Sequence, residues 1–267
     1  MSRLPKIALV LVFLLLVAPI KAVAAAAPSA IDIMTRNFVA MKAEDSSTGA
    51  TFRLIDAQGD VRIRQSTGVT KLSPGTTDNR RLVTFTWPAD IHGTQTLLIE
   101  HSNADDDMWI YLPAMKKVRR LVASNKRDSF VGTDFSYGDV IGHKVGDWNH
   151  KFVREEKIGG MQCWVIESTP RSPEVEDISG YSKRISWIDE RSYIALKTEI
   201  YDAQGALMKR ITYEDVREVD PVHEKWQPMR MVAENVQTHH TTIIELTNFK
   251  ANVGVSDEVF TPASLGN

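Results

Sequence analysis

"ATFRLIDAQGDVRIRQ", residues 50–65, sets Phe52 and Leu54 against Thr51 and Arg53, turns at Asp56–Gly59, and returns with Val61 and Ile63 between Arg62 and Arg64. A period of two on both sides of a Gly-containing turn predicts an antiparallel hairpin. The same letters, "DAQG", recur at 202–205, preceded by Ile194, Leu196 and Ile200 and followed by Leu207, Ile211 and Tyr213 in partial alternation. Further extended segments are predicted at 80–87, 94–101, 107–112, 116–122, 151–158, 163–169, 183–189, 229–238 and 241–250. No composition break or linker divides them, so residues 27–267 are expected to form a single, mainly β domain. One helix opens it: Ser29 is a cap with Asp32 three residues on, and Ile31, Met34, Phe38 and Met41 recur at helical spacing.

The number of strands has a physical consequence. A closed barrel of about eight strands is filled by its own side chains, whereas more strands enclose a cavity or require a plug. A chain of about 11 strands with little helix should therefore curl into a single curved antiparallel sheet, a half-barrel. The leading helix and the irregular stretch 124–144, "SNKRDSFVGTDFSYGDVIGHK", are the lid loops and short helices available to close its concave face.

The first 26 residues stand apart from this domain. Arg3 and Lys6 precede an apolar run from Ile7 to Ala18, followed by the small residues of "AVAAAA" at 22–27, the layout of a cleaved secretory signal peptide. A periplasmic location is expected. The full chain has 32 Lys and Arg against 34 Asp and Glu; removing Arg3, Lys6 and Lys21 leaves 29 basic residues, so the exported protein is acidic and poorly suited to nucleic acid. Cys163 is the sole cysteine, which excludes an internal disulfide, and its setting "MQCWVIES" predicts a buried, inert thiol.

The chain contains no G-x-S-x-G, H-E-x-x-H or S-x-x-K, and no phosphate-cradling Gly loop. His239 and His240 are adjacent on a predicted strand and point to opposite faces, a poor metal geometry. No catalytic residue, metal or cofactor is expected. The segment "MWIYLPAMKKVRRL" (108–121) ends a strand at Pro113 and returns a basic one, in which Lys116 and Arg120 face one side, Lys117 and Arg119 the other, and Lys126 and Arg127 extend the patch. A solvated face, a dock for an acidic transporter and a contact with anionic lipid head groups all fit this pattern.

The series "MWIYLPAMKKVRRLVASNKRDSFVGTDFSYGDV", "WIDERSYIALKTEIYDAQG" and "ENVQTHHTTIIELTNFKANVGVSDEVFTP" resembles the periplasmic outer-membrane lipoprotein-sorting family, the LolA-like proteins, over about residues 35–262. The resemblance implies a half-barrel closed by helices and loops, an apolar interior that receives acyl chains, and a carrier or accessory role beside an inner-membrane transporter. The cargo does not transfer with the fold. A lipid- or protein-sensing adaptor of the same fold is the alternative; it would usually carry an additional partner-binding domain, and a monomeric carrier is the expectation. Burying one acyl chain of roughly sixteen carbons gains on the order of 10 kcal/mol. Candidates for the lining are Phe52, Leu54, Val61, Ile63, Val83, Phe85, Trp109 and Tyr111, with Phe130, Phe135 and Tyr137 on the lid; the same positions also suit a solid core.

Overall fold

A computed structural model describes residues 28–267, so the expected signal peptide at 1–26 lies outside the described residues. Helix α1 spans Ala30–Ala40 and begins with a full capping box: the Ser29 hydroxyl accepts from the Asp32 amide, and the Asp32 carboxylate accepts from the Ser29 amide. Its buried residues are Ile33, Met34 and Ala40. Ile31 is exposed, so the stripe is rotated from the expected one, because Ile33 and Met34 pack on Trp164, Ile166 and Ile188.

Every extended segment read from the sequence pairs, which raises the count from about eleven to thirteen: β1 Asp45–Ile55, β2 Val61–Leu72, β3 Asn79–Trp87, β4 Gln95–Ile99, β5 Asp107–Leu112, β6 Lys117–Leu121, β7 Trp148–Ile158, β8 Met161–Pro170, β9 Lys183–Asp189, β10 Ala195–Tyr201, β11 Leu207–Asp220, β12 Lys225–Asn235 and β13 His240–Ala251. They form one antiparallel sheet in the order β6-β5-β4-β3-β2-β1-β13-β12-β11-β10-β9-β8-β7. Two meanders, β1–β6 and β7–β13, are thus sewn together by the β1·β13 pair, and β6 and β7 are the free edges. The two "DAQG" turns use the same device. Asp56 Oδ1 accepts from the amides of Gln58 and Asp60, Asp202 Oδ1 accepts from those of Gln204 and Ala206, and Gly59 and Gly205 take φ of 88° and 77°.

Register decides what lies inside. Directly opposed residues of an antiparallel pair project to the same face. Five residues, 56–60, connect Ile55 to Val61, so Leu54 opposes Arg62, Arg53 opposes Ile63 and Phe52 opposes Arg64. Phe52 and Leu54 point into the concave side, and Arg62 and Arg64 share it. Val61 and Ile63 therefore lie on the outer face, 53% and 46% exposed, and not in the interior expected from alternation alone. A second correction concerns β5. Met108 opposes Leu98 and Leu121 on the concave side, which sends Trp109 and Tyr111 to the convex side. There they join Leu97, Phe260 and Leu265 in a separate core beneath the C-terminal segment. Asp257 pins that segment through Lys71 (3.0 Å) and Arg80 (2.6 Å).

On the convex side of the other wing, Cys163 packs with Val165, Trp187 and Leu196, and burial pushes its thiol up to about 11. It is an inert core residue. The register makes a contrast in urea unfolding: Phe85→Ala, at a fully buried concave site, should cost about 3–5 kcal/mol. Val61→Ala, on the adjacent strand but facing outward, should change stability by no more than about 0.5 kcal/mol.

Candidate functional site

The chain between β6 and β7, residues 122–147, crosses the concave face. Its tip is a tight reversal in which the Phe130 amide donates to the Phe135 carbonyl (2.8 Å), with Val131 and Gly132 at φ 47° and 75°. The reversal drives Phe130 and Phe135 into the sheet's core. Rings stack inward from it: Phe52 to Phe85 at 5.6 Å, Phe85 to Phe130 at 6.3 Å, Phe130 to Tyr137 edge-on at 5.3 Å. Polar ties hold the segment down, three of them around its tip. Arg64 donates to the Val131 carbonyl; the Asp134 amide donates to the Thr242 hydroxyl at 3.0 Å, which in turn donates to the Asp134 carboxylate at 2.7 Å. The third tie is Asp139, described below.

Beneath this lid two adjoining hollows remain. The first, about 190 Å³, is mainly apolar, with Ala50, Phe52, Val83, Phe130, Phe135 and Ile244 on its walls. The second, about 140 Å³, lies against α1 and includes Phe38, Arg81, Glu100, His143, Trp148 and Arg184. Both share Met41, Arg81, Asp139 and Tyr213, and Met41 is exposed at the mouth. Of the lining residues expected from sequence, Phe52, Val83, Phe130 and Phe135 thus come together on the larger hollow. Leu54, Phe85 and Tyr137 are buried in the surrounding core. Val61, Ile63, Trp109 and Tyr111 are elsewhere.

The interior also holds a polar cluster that the sequence reading did not name. Asp139 lies in the short helix α2, Tyr137–Ile141, as the capping-box partner of Ser136. Its carboxylate also meets Lys209 at 2.5 Å, the Tyr181 hydroxyl at 3.0 Å and His143 Nε2 at 3.4 Å. Burial opposes the ionised form, yet the Lys209 charge and the bonds from His143 and Lys209 hold Asp139 well below the usual carboxylate range. Burial likewise works against Lys209, but Asp139 holds it above the ordinary lysine value. The pair is therefore ionic. Burial and the nearby Arg184 push His143 down to about 4, so it is neutral at pH 7. Nearer α1, Lys42 and Glu100 form a second buried contact at 2.5 Å, and burial shifts both toward their neutral forms.

A sequence signal for these residues exists in the parity. Lys209 stands in step with Ile211 and Tyr213, Arg81 with Val83 and Phe85, and Arg184 with Ile188, so each charge falls in phase with inward apolar neighbours. Cross-strand pairing completes one row, in which Lys209, Ile200, Arg184, Ser168 and His150 oppose one another in turn.

The basic segment forms the outer edge. Lys116, Lys117, Arg119 and Arg120 are exposed, interleaved with exposed Met115, Val118 and Val122. Arg120 pairs with Asp107 at 2.6 Å, Arg127 with Asp177 at 3.0 Å, and the half-buried Lys126 with Asp106 at 2.6 Å. Among the described residues no group of three or more His, Cys, Asp or Glu could hold a metal, and no helix is long and apolar enough to cross a membrane.

An open antiparallel half-barrel with a lidded apolar interior is the LolA-like architecture, and solved structures share it. A domain assigned to outer membrane lipoprotein sorting in Vibrio parahaemolyticus is 27% identical, with 88% of this chain and 97% of that one covered at a TM-score of 0.80. A DUF1329 family protein from Desulfovibrio piger is 28% identical over 88% and 97% of the two chains, at 0.81. A LolA superfamily protein from Nitrosomonas europaea shares the fold at 19% identity, 88% and 98% coverage and a TM-score of 0.65. A family model described as "Uncharacterized protein" matches residues 77–267, and no curated protein matches. The chain belongs to that family, and its fold is that of the LolA-like proteins.

The neutral, buried His143 makes stability depend on pH. Its folded value is depressed from 6.5 to about 4, so the unfolded chain binds the extra proton, and stability falls as pH drops through this window. Between pH 7 and 4 the loss from this residue should be on the order of 3 kcal/mol. Urea titrations at the two pH values should show it, and His143→Gln should flatten the difference.

Proposed function

We propose that the protein is a periplasmic carrier, exported by the 1–26 leader, which shelters a lipid, a lipoprotein acyl chain or another hydrophobic cargo on its way toward the outer membrane. The carrying observation is the apolar hollow on the concave face beneath a segment tied down by a few polar contacts. Relatives assigned to lipoprotein sorting support the same reading. Pockets for drug-sized ligands run to about 300–1,000 Å³. At about 190 Å³ the larger hollow is below that range, so loading a full acyl chain requires the lid tip to withdraw Phe130 and Phe135 from it. The chain here acts by binding, with no covalent step.

The edge at β6 is the docking face in this reading, for an inner-membrane transporter or the anionic membrane around it. Lys116, Lys117 and Arg119 make no ion pair among the described residues, and Met115, Val118 and Val122 add apolar surface beside them.

Two measurements test the proposal. The purified exported form should take up a fluorescent fatty acid or lipopeptide, and Met231→Trp, which fills the larger hollow, should weaken uptake at least tenfold with little change in melting temperature; equal uptake by both proteins overturns the cavity as the cargo site. Reversing charge at Lys116, Lys117 and Arg119, with Arg120 left on Asp107, should reduce binding to anionic vesicles or to the transporter by about 1 kcal/mol per residue without unfolding the domain. Unchanged binding removes β6 as the dock.

A further inference from the structure

The two hollows differ in chemistry. The larger is walled by Phe52, Phe130, Phe135 and Ile244; the smaller carries Arg81 and Arg184. These guanidiniums arrive from opposite wings of the sheet, Arg81 on β3 opposite Leu98 and Thr70, Arg184 on β9 opposite Ile200 and Ser168. Both are enclosed by protein, which lowers their pKa by desolvation, although each keeps some surface toward the hollow.

Neither has a carboxylate in contact among the described residues. Arg81 has only the field of Glu100, which already accepts from Lys42 at 2.5 Å and from the Asn79 amide at 3.0 Å. Arg184 has the field of Asp139, whose oxygens are taken by Lys209, Tyr181, His143 and the Ser136 amide. Arg184 Nε is buried with no hydrogen-bond partner, and its guanidinium lies over the Trp148 ring at 5.3 Å. Glu100 and Asp139 are thus already engaged by Lys42 and Lys209, and His143 is neutral, so Arg81 and Arg184 are left with no carboxylate in contact among the described residues. An unpaired buried charge is costly, and an anion in contact with a guanidinium relieves it.

Resting on the carrier reading, we infer that the cargo is an anionic amphiphile. Its tail lies against Phe52, Phe130, Phe135 and Ile244 in the larger hollow, and its carboxylate or phosphate head lies in the smaller, whose wall carries both Arg81 and Arg184. The shared wall at Arg81 makes the two compartments one site with an oily end and a cationic end. The buried Asn79 side-chain oxygen, also without a partner on a residue lining both hollows, can accept from a head-group hydroxyl.

The test uses the exported full-length protein, an uncharged fluorescent alkyl probe, and competitors of one chain length: hexadecanoate, hexadecyl phosphate, hexadecanol and hexadecylamine. The acid, the phosphate or both should displace the probe at least tenfold more strongly than the alcohol, with the amine weakest; which of the two leads identifies the head. Arg81→Gln and Arg184→Gln should each erase most of that preference while leaving hexadecanol binding within about twofold, and Arg184→Lys should restore part of it. If the wild-type protein binds acid, alcohol and amine alike, or if the preference survives in the Gln variants, the head site is overturned and the carrier reading stands. If neither probe nor competitor binds, both fall. Should a Gln variant fail to fold, the wild-type ranking alone decides.

Discussion

The pairing of the first strand with the last is the constraint from which the rest follows. Because β1 lies beside β13, the strands consecutive at the middle of the chain, β6 and β7, become opposite edges of a thirteen-strand sheet. Laid flat, twelve strand spacings of about 4.8 Å would separate them by roughly 58 Å. The 26 residues at 122–147 that join them run through short helical turns and a reversal, which consume length. The sheet must therefore curl until its edges approach, and the connection must cross the concave face. Hollow and lid are both consequences of one strand pair.

That crossing segment cannot be held by apolar contact alone. Its backbone groups enter a low-dielectric interior and require partners, which a sheet face does not offer through its main chain. Side chains supply them: Arg64 to a carbonyl, Thr242 to an amide and a carboxylate, Lys209 to Asp139. Losing one member of a buried ion pair typically costs about 3–5 kcal/mol, so Asp139 and Lys209 fix where α2 sits even if the intact pair adds little net stability. A lid registered by discrete polar ties has a defined closed position.

Much of this was legible in the residues. Alternation identified every strand, the repeated "DAQG" turns were read correctly, and the Ser29–Asp32 cap opens the helix where its spacing places it. The missed features turn on parity and long-range register. Whether Val61 or Arg62 faces inward depends on a five-residue connection rather than on hydrophobicity. Trp109 and Tyr111 look like interior residues because they are, in a different core, created when the C-terminal segment folds over the convex side. Inward charges break the rule that charged residues face solvent. Arg81, Arg184 and Lys209 occupy inward parity, and only the fold shows that they converge under one lid.

In the proposed carrier role the protein must also let go, and the lid bears on that. Phe130 and Phe135 fill part of the space that an acyl chain would take, and burying such a ring is worth about 1.5–3 kcal/mol. An acyl cargo entering the hollow would gain its own burial but displace these rings, so the empty state would offset part of the roughly 10 kcal/mol that a free chain gains. In that role the lid would compete with the cargo for one apolar surface. Binding would be weaker than the buried area alone gives, and release would be eased by the rings returning to the place the chain leaves.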